Sequence, residues 1–600
     1  MVSPDSRTML TAALKPPPNM AFDAAVATSY TLDPALALML PVLFSQGASY
    51  RNATEEDDAI LRLQRLRNHA DSISIFVQEG GIKVPRMLKP SPAYSLLEPM
   101  IYEMKSPKGG IFHPKIVLVR YKDGAGCKHM RLVVMTRNLT FDKSWDVAVI
   151  LDGEVESAKR ISKNDVLARF IQFQLLANAE GLPEKRRALV NSLRVDLAHV
   201  RFLPPEGYSQ YDFHAPHIDG IDWIPNQEVE EWGMISPFLT KGAMEALGEG
   251  LPEPSFVLSR DEELAKVGGI SNGMVLRDIE ALSDGDDAGE PIQVSGLHAK
   301  CYMYDYTYMN LPFTRLVVGS GNATSAALVN SSPRNVEFMV SLSGKRIKNG
   351  VNDFAKAMEP YWMPYDPENA SEIEEERVAV QKKLEECKSR LIEIGFMVDC
   401  EQSDDGLVEM FLRTQFGRKV DEFDGVRNIS AFPVTQSSSM AKVLEVPGKS
   451  WSLGKVRPES VTGLVAFEIC SNQFDLKESF VLNLKVKGMP SERDDQILAS
   501  LISNRSAFLR FLAMLLEDGS SAVVRGGGAP DSSIVALLRS SGFGNMPIAD
   551  SLLRAYCRSP KVLKEIARAI SAADKVCSDA VPEDFRELWS GFAPLAGEVE

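Results

Sequence analysis

One short pattern occurs twice in this chain, and the pairing constrains the fold more than any other feature. Each copy places a His-x-Lys triplet on an apolar strand, then an Arg-Leu-Val-Val strand, then an Asn just past that strand. The copies comprise His113, Lys115 and Asn138, and His298, Lys300 and Asn322. The Lys-to-Asn separations are 23 and 22 residues. With 7 His among 600 residues, about 0.3–0.4 such triplets are expected by chance, so two matched copies indicate an internal duplication.

Strands and helices follow one another in the same order around both copies. The first pass predicts strands at 24–30 and 73–77, with a helix opened by Asp33 and Pro34. The second predicts strands at 234–239 and 256–258, with a helix at 243–247. Strands that alternate with helices favour mixed or parallel sheets covered by helices. We therefore predict an α/β protein with two halves related by a pseudo-twofold axis, which brings the two motifs together.

The pattern changes after the second half. Ser371 and Glu374 form a capping box that opens a helix ending at Gly395, which is either a connector on the core or a helix for a partner. Alternation over 407–487 predicts strands, and a helical pattern follows Pro490. The acidic stretch 284–290 is predicted as an exposed loop or a lid. The predicted divisions are a lead-in at 1–20, halves at 21–205 and 206–365, a connector at 366–400, a β-rich domain at 401–490 and a helical domain at 491–600.

Composition limits the class of protein. The net charge of −15 argues against nonspecific wrapping of nucleic acid by the whole surface, but it does not exclude a local basic channel. Seven scattered Cys without a C-x-x-C pair are typical of reduced thiols in a cytoplasmic protein without zinc. We expect no signal peptide. The longest apolar run, 35–44, is about half a membrane span, so no membrane partner is expected.

The paired motifs supply two imidazoles, two ammonium groups and two amides, which suits attack on a phosphodiester. Lys115 and Lys300 would offset negative charge, and Asn138 and Asn322 would donate N–H bonds, so neither metal nor cofactor is required. Histidine changes charge near pH 7. One imidazole therefore attacks phosphorus to give a phosphohistidine. The other protonates the leaving oxygen and then activates water.

Each imidazole also needs a partner that orients it. Two acidic residues begin apolar strands after the motif Asn residues: Asp146 and Glu337. Each either orients an imidazole or lies exposed at a sheet edge. Three arginines near the motifs are possible phosphate contacts: Arg120, Arg131 and Arg137. Arg137 directly precedes Asn138, and it either binds phosphate or is a surface residue.

The motifs resemble those of the phospholipase D superfamily, His-x-Lys-x4-Asp followed by Gly-Ser-x-Asn. The second copy matches in full, with Asp305 and with Gly319-Ser320-Gly321-Asn322. The first copy departs, with Arg120 in place of the Asp and Thr136-Arg137-Asn138 in place of Gly-Ser-x-Asn. This first copy is more similar to the tyrosyl-DNA phosphodiesterase branch, whose motif lacks the Asp.

The resemblance covers about residues 21–345 and implies two phospholipase-D-like α/β sandwich halves. It implies His113 as the nucleophile, oriented by Glu337. It implies His298 as the general acid and base, oriented by Asp146 across the pseudo-twofold axis. We add Ser320, Thr136 and Arg137 as predicted substrate-binding residues. The whole chain is similar to bacterial phospholipase-D-like proteins that accompany helicases in antiphage defence.

These features predict a metal-independent phosphodiesterase of nucleic acid, DNA foremost, that either cuts strands or cleans blocked ends. Two alternatives stay open. One is a phospholipid phosphodiesterase. The other is a noncatalytic DNA-binding scaffold that contacts partners, such as a helicase, through residues 400–600.

Overall fold

A computed structural model describes residues 10–597 with gaps at 46–68, 86–90, 106–108, 143, 157–158, 178, 180, 278–295, 330–333, 370–374 and 577–579. Between 502 and 560 it describes only Phe508, Phe511, Leu512, Leu515, Leu552, Leu553 and Tyr556. Two predictions, the acidic loop at 284–290 and the capping box of Ser371 and Glu374, therefore lie outside the described residues.

The first half is built on a seven-stranded mixed sheet. Its strands are β1 Ala21–Ser29, β2 Ile73–Gln78, β3 Ile101–Met104, β4 Ile116–Lys122, β5 Lys128–Met135, β6 Ala148–Val155 and β7 Val200–Leu203. They lie in the order β3-β2-β1-β4-β5-β6-β7. The first three are parallel, and the others join antiparallel. Its helices are Leu10–Ala13, Pro34–Ser45, Asp165–Phe170 with a π-helical continuation Ile171–Leu176, and Glu184–Leu197.

The second half repeats this design in an eight-stranded sheet. Its strands are β8 Gln210–His214, β9 Val229–Ile235, β10 Phe256–Leu258, β11 Gly273–Leu276, β12 Cys301–Tyr308, β13 Leu311–Gly319, β14 Met339–Lys345 and β15 Trp362–Pro364. The run β11-β10-β9-β12-β13-β14 matches β3-β2-β1-β4-β5-β6 in order and direction. Its helices are Pro216–Asp219, Lys241–Gly248, Asp261–Val267, Ser325–Leu328 and Val351–Met358. The predicted α/β fold with two similar halves is confirmed.

One hydrophobic core joins the two sheets. Successive residues of a strand point to opposite faces, so Ile116 and Leu118 of β4 enter the shared core while Val117 and Val119 face the other way. Cys301 and Met303 of β12 reach the same core from the second half. The sheets therefore pack face to face, and the ends of β4 and β12 meet between them.

The outer face of the first sheet is covered by helix Pro34–Ser45 and by part of the C-terminal region. That region contains the helix Glu375–Ile394, which Gly395 ends with a φ of 74°, and two four-stranded sheets. The strands are β16 Phe396–Gln402, β17 Val408–Thr414, β18 Val426–Pro433, β19 Lys442–Val443, β20 Ser450–Val456, β21 Leu464–Ser471, β22 Lys477–Asn483 and β23 Val486–Lys487. Helices Arg493–Leu501, Lys561–Val576 and Glu583–Gly597 form a further core. The alternation over 407–487 thus marks strands, as predicted.

Candidate active site

Each His-x-Lys triplet is anchored on the opposite half of the molecule. The His113 backbone N–H donates to the Val336 carbonyl over 3.0 Å, and that of His298 donates to the Trp145 carbonyl over 2.9 Å. The triplets were predicted on strands, but Lys115 and Lys300, the last residues of the triplets, directly precede the first strand residues, Ile116 and Cys301. The triplets lie outside the strands because the backbone N–H of each histidine donates to the other half of the molecule and not to a neighbouring strand.

His113 is held by a buried carboxylate from the second half. Its Nδ1 lies 2.9 and 3.1 Å from the two carboxylate oxygens of Glu337, and the Asn335 amide also donates to Glu337 over 3.2 Å. Burial opposes ionisation of Glu337, but the attraction of His113 and Lys115 outweighs it and lowers its pKa. Burial lowers the pKa of His113 to about 4. A neutral ring that donates Nδ1–H to an ionised carboxylate leaves the Nε2 lone pair free to attack.

The two lysines lie buried beside the imidazoles. Lys115 Nζ donates to the carbonyl of His113, and Lys300 Nζ donates to that of His298, both over 2.8 Å. Lys300 also reaches the Thr136 carbonyl of the first half at 3.3 Å. Burial, with repulsion from Lys300, holds the pKa of Lys115 well below its usual value. Burial, with a contribution from Arg260, lowers that of Lys300 to about 7. Because burial disfavours the charged form of both lysines, an anion bound between them would stabilise that charged form and raise both pKa values.

The two motif asparagines differ in how they are held. The Asn138 Oδ1 accepts from the backbone N–H groups of Tyr30 and Thr31 at 3.3 and 3.4 Å, which leaves its amide N–H groups for the pocket. The Asn322 Oδ1 is buried without a partner in the described structure. The place corresponding to Tyr30 is taken by Pro237, which has no N–H to donate. The second amide is therefore less firmly oriented than the first.

The pairing predicted for Asp146 and His298 is not the one in the structure. The Asp146 carboxylate forms an ion pair with Arg137 over 3.1 Å. Within the described residues, the His298 ring has no hydrogen bond to a side chain. The carboxylate whose charge acts on His298 is Asp142. Burial, Lys300 and Arg260 outweigh it and lower the pKa of His298 to about 4. Asp146 pairs with Arg137 and not with His298 because the nearby guanidinium carries a full positive charge.

The three predicted substrate-binding side chains are engaged by the protein itself. The Thr136 hydroxyl accepts from the Val147 N–H over 2.9 Å. At the corresponding place, the Ser320 hydroxyl accepts from the Phe338 N–H over 3.0 Å. Arg137 donates to two loop carbonyls at 2.6 and 3.0 Å. They support the strand starts and the loop beside the site, and direct contact with substrate stays a prediction.

Arg120 and Arg131 were predicted near the site, and this was wrong. Arg120 pairs with Asp23 and Asp196, and Arg131 pairs with Asp152. Arg120 lies five residues beyond Lys115 along β4, which at about 3.3 Å per residue puts it roughly 16 Å away.

Asp305, the acidic residue of the second motif, is equally remote from the imidazoles. It accepts from Thr314 and from the Val351 N–H at the start of a helix. The fourth motif residue of each half therefore serves packing behind the site.

Sequence inspection did not single out three side chains that belong to the site. The Tyr30 ring lies 5.3 Å from the His113 ring, edge to face. The Arg260 guanidinium lies 4.6 Å from the centre of the Phe238 ring and acts electrostatically on His298. Superposing the two duplicated passes would have indicated them, because all three follow strand ends that correspond between the halves.

Two absences hold for the described part of the chain. No cluster of three or more His, Cys, Asp or Glu side chains there is placed to hold a metal ion. Among the described helices, none combines the length and apolar character that a membrane span requires.

The comparisons with known proteins give distant structural similarities. No family model matches the chain, and no curated protein matches it. The structure of yeast tyrosyl-DNA phosphodiesterase is 10% identical, with a TM-score of 0.34 over 57% of this chain and 87% of that chain. A mutant of yeast tyrosyl-DNA phosphodiesterase 1 matches at 10% identity and a TM-score of 0.33, over 59% of this chain and 92% of that chain.

Proposed function

We propose that this chain is a metal-independent phosphodiesterase that cleaves nucleic acid through a phosphohistidine on His113. The observation that carries the proposal is the contact between the halves. His113 of the first motif receives its orienting carboxylate, Glu337, from the strand that follows the second motif. A His-carboxylate pair built across two copies of one motif, next to two buried lysines, is suited to a single scissile phosphate.

In the first step, the Nε2 lone pair of His113 attacks phosphorus while the bond from phosphorus to the leaving oxygen breaks. The imidazolium that forms is stabilised by the Glu337 carboxylate at Nδ1. Lys115 and Lys300 offset the charge on the non-bridging oxygens, with the amides of Asn138 and Asn322 as further donors. His298 gives its proton to the leaving oxygen. The bound phosphate favours this protonated form, because an anion raises the pKa of an imidazole beside it.

In the second step, His298 is neutral and takes a proton from a water molecule. The resulting hydroxide attacks phosphorus, the bond from phosphorus to Nε2 breaks, and His113 returns to its starting state. The product is a phosphomonoester, and the proton on His298 serves the next cycle.

DNA as the substrate is supported by the first motif, which resembles the tyrosyl-DNA phosphodiesterase branch. An origin in bacterial antiphage defence, a cytoplasmic location and a helicase partner on residues 400–600 are further parts of the proposal, supported by the resemblance of the whole chain. Plaque counts of infected cells with wild type or His113→Ala test the defence role. Equal counts would contradict it.

The proposed reaction is tested by trapping the intermediate. His298→Asn removes the base of the second step and also the acid of the first, so the substrate is labelled single-stranded DNA whose terminal phosphate carries a p-nitrophenyl ester, a leaving group that departs without a proton. The labelled DNA is expected to accumulate as an acid-labile adduct on the protein in EDTA. The adduct should disappear in the double variant His113→Ala/His298→Asn. His129→Asn is the matched control, because His129 pairs with Asp152 away from the site.

Two other results would replace the proposal. Release of headgroups from phospholipid vesicles, without adduct formation on DNA, would make the chain a lipid phosphodiesterase. Stable DNA binding without turnover, unchanged in the double variant, would make it a scaffold.

A further inference from the structure

The two halves differ at one place that the duplication makes directly comparable. Thr28 pairs with Phe76 in the first half, and Ile235 pairs with Leu258 in the second. Two residues beyond these partners stand Gln78 and Arg260. Both reach the residue before the motif histidine: Gln78 accepts from the Phe112 N–H over 2.6 Å, and Arg260 donates to the Leu297 carbonyl over 3.4 Å. The fold thus puts a neutral amide beside His113 and a guanidinium beside His298.

Arg260 keeps most of its hydrogen-bonding capacity. A guanidinium carries five N–H donors, and the bond to Leu297 is long. Within the described residues Arg260 has no ion pair with a carboxylate, whereas Arg137 and Arg120 are both paired. Glu263, one turn further on, is engaged by the Leu239 N–H and by Lys266. A half-buried guanidinium that lacks a counter-ion beside a phosphodiester site favours an anionic group of the substrate.

Phe238 adds an aromatic face to the same side of the site. Its ring is 42% exposed, and Arg260 covers it at 4.6 Å from the ring centre. The next residue, Leu239, bridges Ala323, the neighbour of Asn322, so the ring lies at the rim of the pocket. In the first half the corresponding position is Thr31, which has no ring. An exposed ring with a guanidinium over it is a surface on which a nucleobase stacks.

From this asymmetry we infer that the side of the site next to His298 is a nucleotide subsite, in which Arg260 binds the phosphate adjacent to the scissile one and Phe238 stacks on a base. The inference rests on the proposed function, and it specifies the leaving group. His298 protonates the leaving oxygen, so the group held by Arg260 and Phe238 is the one that departs. The leaving group is therefore a nucleotide strand, which makes the chain an enzyme that cuts within a strand.

The test compares two substrates that share one scissile phosphate. One is an oligodeoxynucleotide whose terminal phosphate carries a p-nitrophenyl ester, and the other is the same oligonucleotide extended through that phosphate by two thymidines. Both are made with the ester at the 3′ and at the 5′ end. Arg260→Gln, which copies the first half, is expected to lower kcat/KM about 10- to 100-fold for the extended substrate. The ratio of kcat/KM for the extended substrate to kcat/KM for the nitrophenyl substrate is expected to fall about tenfold or more, since nitrophenol carries no phosphate, while the electrostatic effect of Arg260 on Lys300 is common to both substrates.

Two further variants separate a binding role from a general one. Phe238→Leu should lower kcat/KM for the extended substrate roughly tenfold. Arg457→Gln removes the same charge from an exposed, remote position and should leave kcat/KM unchanged for both substrates. An equal fall for both substrates in Arg260→Gln would overturn the subsite, because Arg260 would then act on a step that the two substrates share. A fall for the extended substrate confined to kcat, with KM unchanged, would also overturn it, because Arg260 would then act through His298 on the departure of the leaving group.

If the wild type cleaves neither substrate, the proposed function fails and binding decides the subsite. In a His113→Ala background, the affinity for the labelled extended oligonucleotide should fall about 10-fold with Arg260→Gln and stay unchanged with Arg457→Gln. Equal affinity in the two variants would overturn the inference.

Discussion

At the scale of single residues, burial sets the protonation states of the site. His113, Lys115 and Lys300 are buried, and each has its pKa lowered because desolvation penalises the charged form. Glu337 stays ionised in the same environment because it faces His113 and Lys115. The site therefore holds a neutral nucleophile, an ionised orienting group and two lysines whose charged form a bound anion would stabilise.

Lys300 should set the alkaline limit of activity. Its pKa of about 7 means that it is charged below pH 7 and loses the charge above it, so kcat/KM is expected to fall about tenfold per pH unit above pH 7. Lys300→Arg stays charged throughout this range, so the fall contributed by Lys300 should vanish and only the fall set by Lys115, whose pKa is also lowered, should remain, although the rate of the variant at pH 6 is lower. A pH–rate profile of both enzymes checks this. A shared alkaline limit would assign the fall to another group.

Glu337 and Asp146 should differ sharply in importance. Glu337→Gln removes the charge that holds Nδ1–H of His113, and kcat is expected to fall about 10²- to 10⁴-fold. Asp146→Asn loses an ion pair to Arg137 and should cost less than about tenfold. Single-turnover rates measure both, with thermal midpoints as a check on folding. Equal losses would restore Asp146 to the orienting role predicted from sequence.

At the scale of elements, the site exists because the segments that lead into the motif strands of one half pair with segments of the other half. Phe112 forms an isolated parallel β-bridge with Val336, and Trp145 forms one with Leu297. These short bridges carry the histidine of one half to the acidic strand start of the other. The close approach at the first crossing requires Gly110, because a Cβ there would lie 1.9 Å from the Arg334 carbonyl oxygen.

Gly110→Ala should therefore damage the site through the backbone. The added methyl must push the segment before Glu337 away from His113. We expect a loss of about 1–3 kcal/mol in the free energy of unfolding and at least a tenfold fall in kcat. Urea unfolding and turnover measure the two effects. Gly124→Ala is the matched control, since its Cβ would meet nothing within 4 Å. Wild-type activity in Gly110→Ala would contradict the crossing as described.

At the scale of the whole molecule, the C-terminal region is fastened to the first half. Phe432, Leu464 and Val481 join the core on the outer face of the first sheet. Polar bonds surround this contact: Glu98 accepts from the Thr462 hydroxyl at 2.6 Å and forms an ion pair with Arg493 at 2.9 Å. Residues 401–490 are therefore closely attached to the first half. Their division from the preceding helix as a separate β-rich domain remains a proposal.

Glu98→Ala is expected to loosen this attachment. It leaves the nearly buried Arg493 guanidinium with Asp494 as its remaining carboxylate partner, and the lost charged hydrogen bonds are expected to cost about 1–3 kcal/mol. Limited proteolysis should then release a C-terminal fragment faster, while Glu253→Ala, at an exposed loop, leaves the rate unchanged. An unchanged cleavage pattern in Glu98→Ala would show that the apolar contact alone holds the region.

The sequence by itself determined the duplication, the α/β class and the six motif residues, because motif spacing and strand alternation are local properties of the chain. Tertiary structure decided which side chains pair with each other. Glu337 contacts His113 from 224 positions away in the sequence. Asp146 forms its ion pair with Arg137, and Arg120 and Asp305 contribute to packing behind the site. Arg260 lies beside His298 because the end of β10 packs against the second motif in the folded structure. Such contacts depend on distances between segments far apart in sequence, and folding alone sets those distances.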